Sequence, residues 1–106
     1  MIIGLDFDGT ITADPVFWAA FVRLLRDHGH DAAITTYRSA GAGNEDVEQF
    51  ASDNQLAVYY TDAQQKATCF KADVWIDDMP ELCPIEEHIH AQSNFLLEVK
   101  ERSPAW

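Results

Sequence analysis

The length and composition of the chain, 106 residues of which 47% are hydrophobic, are sufficient for one compact domain over residues 1–106 that folds without disulfide bonds. With 18 acidic and seven basic residues, the net charge of −11 argues against an extended nucleic-acid surface and against binding to anionic membranes. The two cysteines lack CxxC spacing and no apolar run reaches the length of a membrane span, so we expect reduced thiols and a cytoplasmic location.

The first predicted element is a buried strand that ends in two carboxylates. Residues 2–5 form a short apolar run, and Asp6 and Asp8 follow it directly, before Gly9. Ligands bind outside the carboxyl ends of the strands in α/β sheets, so we expect a site here. Two carboxylates about 4 Å apart repel by roughly 4 kcal/mol at an effective dielectric near 20, and a cation or a shared proton is expected to offset this. A solvated acidic turn after an edge strand is the simpler alternative.

Helical and strand patterns alternate along the rest of the chain. The prediction is a helix over 14–28, a strand over 31–36, a helix over 44–54, a strand over 56–61, a helix that begins at 62 and contains Lys66 and Lys71, and a strand over 74–78. In the first helix the residues that recur at helical spacing are Phe17, Phe21, Leu24, Leu25 and His28. Trp18 is expected to pack against the sheet together with Phe17. Residues 84–90 are assigned to a helix and 94–99 to a fifth strand. The alternation predicts a three-layer α/β fold with a central, mainly parallel sheet of about five strands.

Parallel strands would bring several polar side chains to one edge of this sheet. That edge is expected to carry Asp6, Asp8, Thr36, Asp77 and Asp78, with Lys66 entering from the neighbouring helix. Carboxylate oxygens are the ligands that Mg²⁺ prefers, and a threonine hydroxyl and a lysine ammonium can bind phosphate oxygens. An aspartate can attack phosphorus to form an aspartyl-phosphate, while a second acid donates and accepts the proton. The predicted site is therefore a hard-cation site beside a phosphate site.

In type and in order, these motifs resemble those of the haloacid dehalogenase-like (HAD) superfamily of phosphotransferases. Asp6-Phe7-Asp8-Gly9-Thr10 resembles the first motif of that family, and Ile34-Thr35-Thr36-Tyr37-Arg38 resembles its hydrophobic strand ending in Thr or Ser. The region of Lys66 or Lys71 resembles the third motif, and Trp75-Ile76-Asp77-Asp78 resembles the fourth. The resemblance covers roughly residues 1–81.

The resemblance implies a Rossmann-like fold and a magnesium-dependent phosphomonoester hydrolase. Carried over to this chain, it implies the following roles: Asp6 as nucleophile, Asp8 as general acid and base, Thr36 as phosphate binder, Lys66 as the motif lysine, and Mg²⁺ held by Asp6, the backbone carbonyl of Asp8 and the pair Asp77 and Asp78. A catalytically idle subunit or phospho-ligand sensor of the same family is the alternative function.

Two of these assignments have a neighbour that could take the same role. Lys71 is the alternative to Lys66, which is favoured because it would lie in the first turn of its helix, near the carboxyl edge of the sheet. Thr35 is the alternative to Thr36, because successive strand residues face opposite sides of a sheet. Thr36 is favoured because it stands two residues before Arg38, as the family motif usually has it.

Other features concern the surroundings of the site. Arg38 either contacts the leaving group of a substrate or pairs with a nearby acid, and either Asp77 or Asp78 can ligate the metal directly.

About 27 residues separate Asp8 from Thr36 and about 29 separate Thr36 from Lys66, too few for the cap domain that closes over small substrates in the family. A capless member is expected to act on small-molecule or macromolecular phosphate ends that are exposed, or to borrow a lid by forming a homo-oligomer.

Overall fold

The computed structural model describes residues 1–83 of the chain. Its regular elements are strands β1 (Ile2–Leu5), β2 (Asp31–Thr36), β3 (Val58–Tyr60) and β4 (Val74–Ile76), helices α1 (Pro15–Asp27) and α2 (Glu45–Asn54), and short 3-10 turns at Ile11–Ala13, Lys66–Thr68 and Pro80–Leu82. The predicted helix over 84–90 and the predicted fifth strand over 94–99 lie outside the described residues. None of the helices within residues 1–83 is long and apolar enough to pass through a membrane.

The four strands form one parallel sheet in the order β3-β2-β1-β4, which confirms the predicted parallel α/β architecture. β1 lies at the interior of the sheet, with Leu5 paired to Ile34 of β2 on one side and to Ile76 of β4 on the other. The chain runs in one direction from β1 to β3 and then returns to the opposite side of β1. Ligands of open α/β sheets bind at such a reversal of strand order. The topology therefore predicts a binding site beyond the carboxyl ends of β1 and β4.

Both α-helices pack on the same face of the sheet. Right-handed crossovers from β1 to β2 and from β2 to β3 require this, because both connections run in the same direction. The resulting core includes Ile3 and Leu5 from β1, Ile34 from β2, and apolar residues of each helix: Val22, Leu25, Val47 and Ala51. The two crossover helices occupy the chain between the first three strands, and no cap domain is inserted within residues 1–83.

The buried face of α1 includes Trp18, Phe21 and Leu25 as predicted, but not Phe17 or Leu24. Phe17 and Leu24 are 53% and 57% exposed, whereas Val22 and Leu25 are buried and Trp18 packs against the core. Successive residues of an α-helix are about 100° apart around its axis. The side of α1 that faces the sheet carries Trp18, Val22 and Leu25, and Phe17 and Leu24 lie beyond the edge of that side. Phe17 instead packs edge-to-face on Trp18, with 4.9 Å between the ring centroids.

The predicted helix beginning at residue 62 is wrong. Asp62 and Ala63 have positive φ angles of 52° and 62°, which an α-helix cannot contain. Their amides donate instead to the carbonyls of Arg38 and Tyr37, so the chain after β3 is bound to the loop after β2. Between β3 and β4 the one helical element is a 3-10 turn at Lys66–Thr68.

The opposite face of the sheet contacts irregular chain. Phe70 stacks on Tyr59 with 4.7 Å between ring centroids, and the ring of Trp75 covers Gly4 so closely that a Cβ there would lie 2.4 Å from it. Residues 1–83 therefore form two layers with helix on one face only, and the second helical layer of the predicted three-layer fold is not formed by this part of the chain.

Candidate functional site

A cavity of about 390 Å³ opens at the carboxyl edge of the sheet. Its lining includes six of the seven residues predicted for the site: Asp6, Asp8, Thr36, Lys66, Asp77 and Asp78. The other lining residues are Gly9, Tyr37, Met79 and Leu82. Arg38, the seventh, does not line the cavity. The structure therefore brings together side chains that are up to 72 positions apart in the sequence.

Lys66 lies between two carboxylates at the base of this cavity. Its side chain is 1% exposed, and Nζ donates to Asp6 Oδ1 at 2.7 Å and to Asp77 Oδ2. Burial works against the ammonium, but the hydrogen bonds to both carboxylates outweigh it and raise the pKa of Lys66 above its usual value. Lys71 is exposed and does not reach the cavity. Lys66 is therefore the lysine that meets the acids, although it arrives on a 3-10 turn rather than on the predicted helix.

Asp6 is held in place from both of its oxygens. Thr10 Oγ1 donates to Oδ2 at 3.0 Å, while Lys66 donates to Oδ1. The residue is 6% exposed, and burial raises its pKa to about 6, against the lowering effect of Lys66 and with a smaller raising effect from Asp78 and Asp77. A carboxylate in this position is ordered and poorly solvated, and additional positive charge beside it would favour its ionised form.

Asp77 and Asp78 follow β4 and extend towards Asp6. Carboxylate oxygens of these three residues all lie within 4.8 Å of one another. Asp77 accepts from Lys66, from the Met79 amide and from the Cys83 thiol, whereas within residues 1–83 no hydrogen bond is donated to the carboxylate of Asp78. Three carboxylates with one cation leave an excess of negative charge and oxygen donors only, which fits a hard divalent cation. Mg²⁺, Mn²⁺ and Ca²⁺ share this preference.

Gly9 allows Asp78 to approach the first loop. Its φ angle is +85°, and a Cβ at this position would lie 2.2 Å from Asp78 Oδ2. The residue is therefore required both for the backbone conformation and for the space that Asp78 occupies.

Asp8 lies at the rim and is engaged by Arg38. Arg38 Nε donates to Asp8 Oδ2 at 2.9 Å and Nη2 donates to Oδ1 at 2.7 Å. The side chain of Asp8 is 54% exposed, and it does not belong to the three-carboxylate group. Of the two roles predicted for Arg38, pairing with a nearby acid describes the arrangement in this structure.

Thr36 rather than Thr35 faces the cavity. Thr36 is buried, lines the cavity and accepts a hydrogen bond from the Arg38 amide at 3.3 Å. Thr35 is also buried, but its hydroxyl lies on the other side of the strand and has no partner among the described residues.

Three residues that form hydrogen bonds to the predicted site residues were not themselves predicted from the sequence to do so. Thr10 and Cys83 contact Asp6 and Asp77 respectively, and Asp46 in the first turn of α2 binds Arg38. Burial raises the pKa of the Cys83 thiol to about 12, so it acts as a weak hydrogen-bond donor rather than as a thiolate. The sequence could have indicated Thr10, because it stands four residues after Asp6 in the same motif, and Asp46, because it is an acid shortly after a loop at the same edge of the sheet. No feature of the sequence indicated that Cys83 would contact Asp77.

Comparison of the chain with protein-family models, with curated proteins and with solved structures found no match.

Proposed function

We propose that the chain is a magnesium-dependent phosphomonoester hydrolase that acts through an aspartyl-phosphate on Asp6, as the resemblance of its motifs to the HAD-like superfamily implies. The observation that carries this proposal is the position of Asp6, an ordered and buried carboxylate at the base of an open cavity, beside Lys66 and two further acids. The cavity supplies hydrogen-bond donors of the type that bind phosphate, from Lys66 and Thr36.

In the first step a carboxylate oxygen of Asp6 forms a bond to phosphorus as the bond between phosphorus and the leaving oxygen breaks. Asp8, detached from Arg38 and carrying a proton taken from solvent, gives that proton to the leaving oxygen, and the alcohol departs. In the second step water attacks the phosphorus of the aspartyl-phosphate while Asp8 takes the proton from the water. Inorganic phosphate is released and both carboxyl groups return to their initial states.

The cation would be held by Asp6 and Asp78, with Asp77 beside them. Asp78 is the better direct ligand of the last two, because its carboxylate receives no hydrogen bond within residues 1–83, whereas both oxygens of Asp77 are occupied. When bound, Mg²⁺ would supply positive charge that keeps Asp6 ionised and offsets the charge of the phosphoryl group.

The test is hydrolysis of 4-nitrophenyl phosphate with and without Mg²⁺ by the wild type, Asp6→Asn and Asp8→Asn. Asp27→Asn is the matched control, because Asp27 is an exposed acid at the end of α1, away from the cavity. We expect magnesium-dependent activity in the wild type and in the control, and none in Asp6→Asn. Turnover that survives Asp6→Asn would exclude the aspartyl-phosphate mechanism.

A second function, a sensor that binds a phosphorylated ligand without turnover, is favoured by one observation. Arg38 occupies both oxygens of Asp8, so in this arrangement the acid that must move the proton is not free. Binding of vanadate or fluoroberyllate with magnesium, in the absence of any hydrolysis across a panel of phosphate esters, would support the sensor and refute the hydrolase.

A further inference from the structure

Arg38 is shared between two carboxylates, of which only one lines the cavity. Besides its two bonds to Asp8, the guanidinium donates from Nη1 to Asp46 Oδ1 at 2.8 Å and from Nη2 to Asp46 Oδ2 at 2.9 Å. These bonds raise the pKa of Arg38 and lower that of Asp46, so both groups are charged. Each acid meets the guanidinium through two parallel hydrogen bonds, the geometry in which arginine binds a carboxylate most specifically.

Arg38 is also held by groups other than these acids. Its guanidinium carbon lies 5.3 Å from the centroid of the Phe7 ring, within the range of a cation–π contact. Nη1 reaches Asn44 Oδ1 at 3.4 Å, and the amide of that buried asparagine is itself anchored to the carbonyls of Ser39 and Gly41. The guanidinium therefore has partners besides Asp8, in the loop after β2 and on the ring of Phe7.

This arrangement matters for the proton transfer described above. Asp8 must release at least one oxygen from Arg38 before it can reach a leaving oxygen or a water in the cavity. When it does so, Arg38 still has Asp46 and Asn44 as partners, so no unpaired charge is left behind. Without Asp46, the guanidinium would have Asp8 as its only carboxylate partner among the described residues.

We propose that Arg38 and Asp46 are positioning residues for Asp8. Arg38 holds the Asp8 carboxylate at the rim of the cavity in a defined orientation, and Asp46 shares the guanidinium so that Asp8 can leave it and return in each catalytic cycle. Neither residue exchanges a proton: the proton moves from Asp8 to the leaving oxygen and later from water to Asp8. This inference rests on the proposed hydrolase function.

The test compares substrates that differ in their need for a proton. Nitrophenolate departs without protonation, whereas the alkoxide of glycerol phosphate requires it. Asp8 also acts as the base in the second step, which is the same for both substrates, so the quantity compared is kcat/KM, which reports formation of the aspartyl-phosphate. General acid catalysis contributes about 10²–10⁴-fold, so we expect Asp46→Asn to lower kcat/KM at least tenfold for glycerol phosphate and less than about threefold for 4-nitrophenyl phosphate. Arg38→Lys keeps the charge but cannot bind both oxygens of Asp8, and the same selective loss is expected.

Glu45→Gln is the matched control, because it removes an exposed acid from the same first turn of α2 without touching Arg38. It is expected to hydrolyse both substrates at the wild-type rate, and circular dichroism reports whether each variant is folded. If folded Asp46→Asn and Arg38→Lys lose kcat/KM equally for the two substrates, or lose it for neither, the positioning role alone is overturned and the hydrolase function stands. A wild type without any turnover overturns both proposals.

Discussion

Replacing Lys66 with methionine removes the only cationic side chain within residues 1–83 that contacts the cluster of Asp6, Asp77 and Asp78. The ammonium is 1% exposed and lies 2.7 Å from the Asp6 carboxylate, with Asp77 on its other side. Removing one partner of a buried ion pair costs about 3–5 kcal/mol, because the remaining charge is left without compensation. We expect a loss of that size in the free energy of unfolding, a large part of the 5–15 kcal/mol of a typical domain of about this size.

The assay is urea unfolding followed by tryptophan fluorescence, with Lys71→Met as the matched control. Lys71 is exposed and forms no ion pair within the described residues, so its replacement should change the stability by less than about 0.5 kcal/mol. If Lys66→Met is as stable as the wild type, or if both variants lose the same amount, the buried pairing described above does not hold Asp6 and Asp77.

Magnesium adds a second comparison to the same experiment. Saturation to about 100 times the dissociation constant stabilises a native state by about 2.7 kcal/mol, so Mg²⁺ should restore much of the stability of Lys66→Met at neutral pH. The additional replacement Asp78→Asn should reduce this effect, because it removes one of the three clustered carboxylates. Equal stabilisation with and without Asp78 would place the cation elsewhere.

Two further predictions concern Asp6 and Gly9. In the absence of divalent cations, the raised pKa of Asp6 means that its stabilising contribution is complete below the unfolded value of 3.8 and is lost as the pH rises through about 6, a change of about 3 kcal/mol. Urea unfolding should therefore show the wild type losing stability relative to Asp6→Asn over this interval, and a pH-independent difference would refute the assignment. Gly9→Ala and Gly43→Ala each place a side chain at a positive φ, 85° and 90°, at a similar backbone cost of about 1–2 kcal/mol, but only at position 9 would the Cβ meet Asp78. Calorimetric titration should show weaker Mg²⁺ binding for Gly9→Ala alone, and equal binding by both variants would speak against Asp78 as a ligand.

The strands and the edge at which the acids meet could be predicted because short-range patterns determine them. β2 was predicted with the bounds that it has, since an apolar run between a helix stop at Gly29 and two threonines is typical of a buried strand. Parallel pairing then brings the strand ends together without further information, which is how Asp6 and Asp77 come to lie close to each other.

The details that depend on side-chain contacts between distant segments could not be predicted in the same way. The segment 62–65 has no apolar stripe, and its backbone conformation is determined by hydrogen bonds to the loop after β2, which local propensity does not report. The pairing of Arg38 with Asp8 and Asp46 spans 30 and eight positions and is decided by the path of the Arg38 side chain over Phe7. The sequence shows that several acids could pair with Arg38, but it does not show which of them do.

The interior position of β1 also bears on the order in which the native structure forms. β1 can pair with β2 once α1 has folded back, but its other neighbour, β4, lies about 70 positions further along the chain, and closing a longer loop carries a greater entropic cost. We expect β4 to dock late in folding, after the β1-β2-β3 unit, so that Asp6 meets Lys66 and Asp77 only beyond the rate-limiting step. A cation bound among Asp6, Asp77 and Asp78 would then slow unfolding and prolong the lifetime of the native state, with little effect on the rate at which the chain folds.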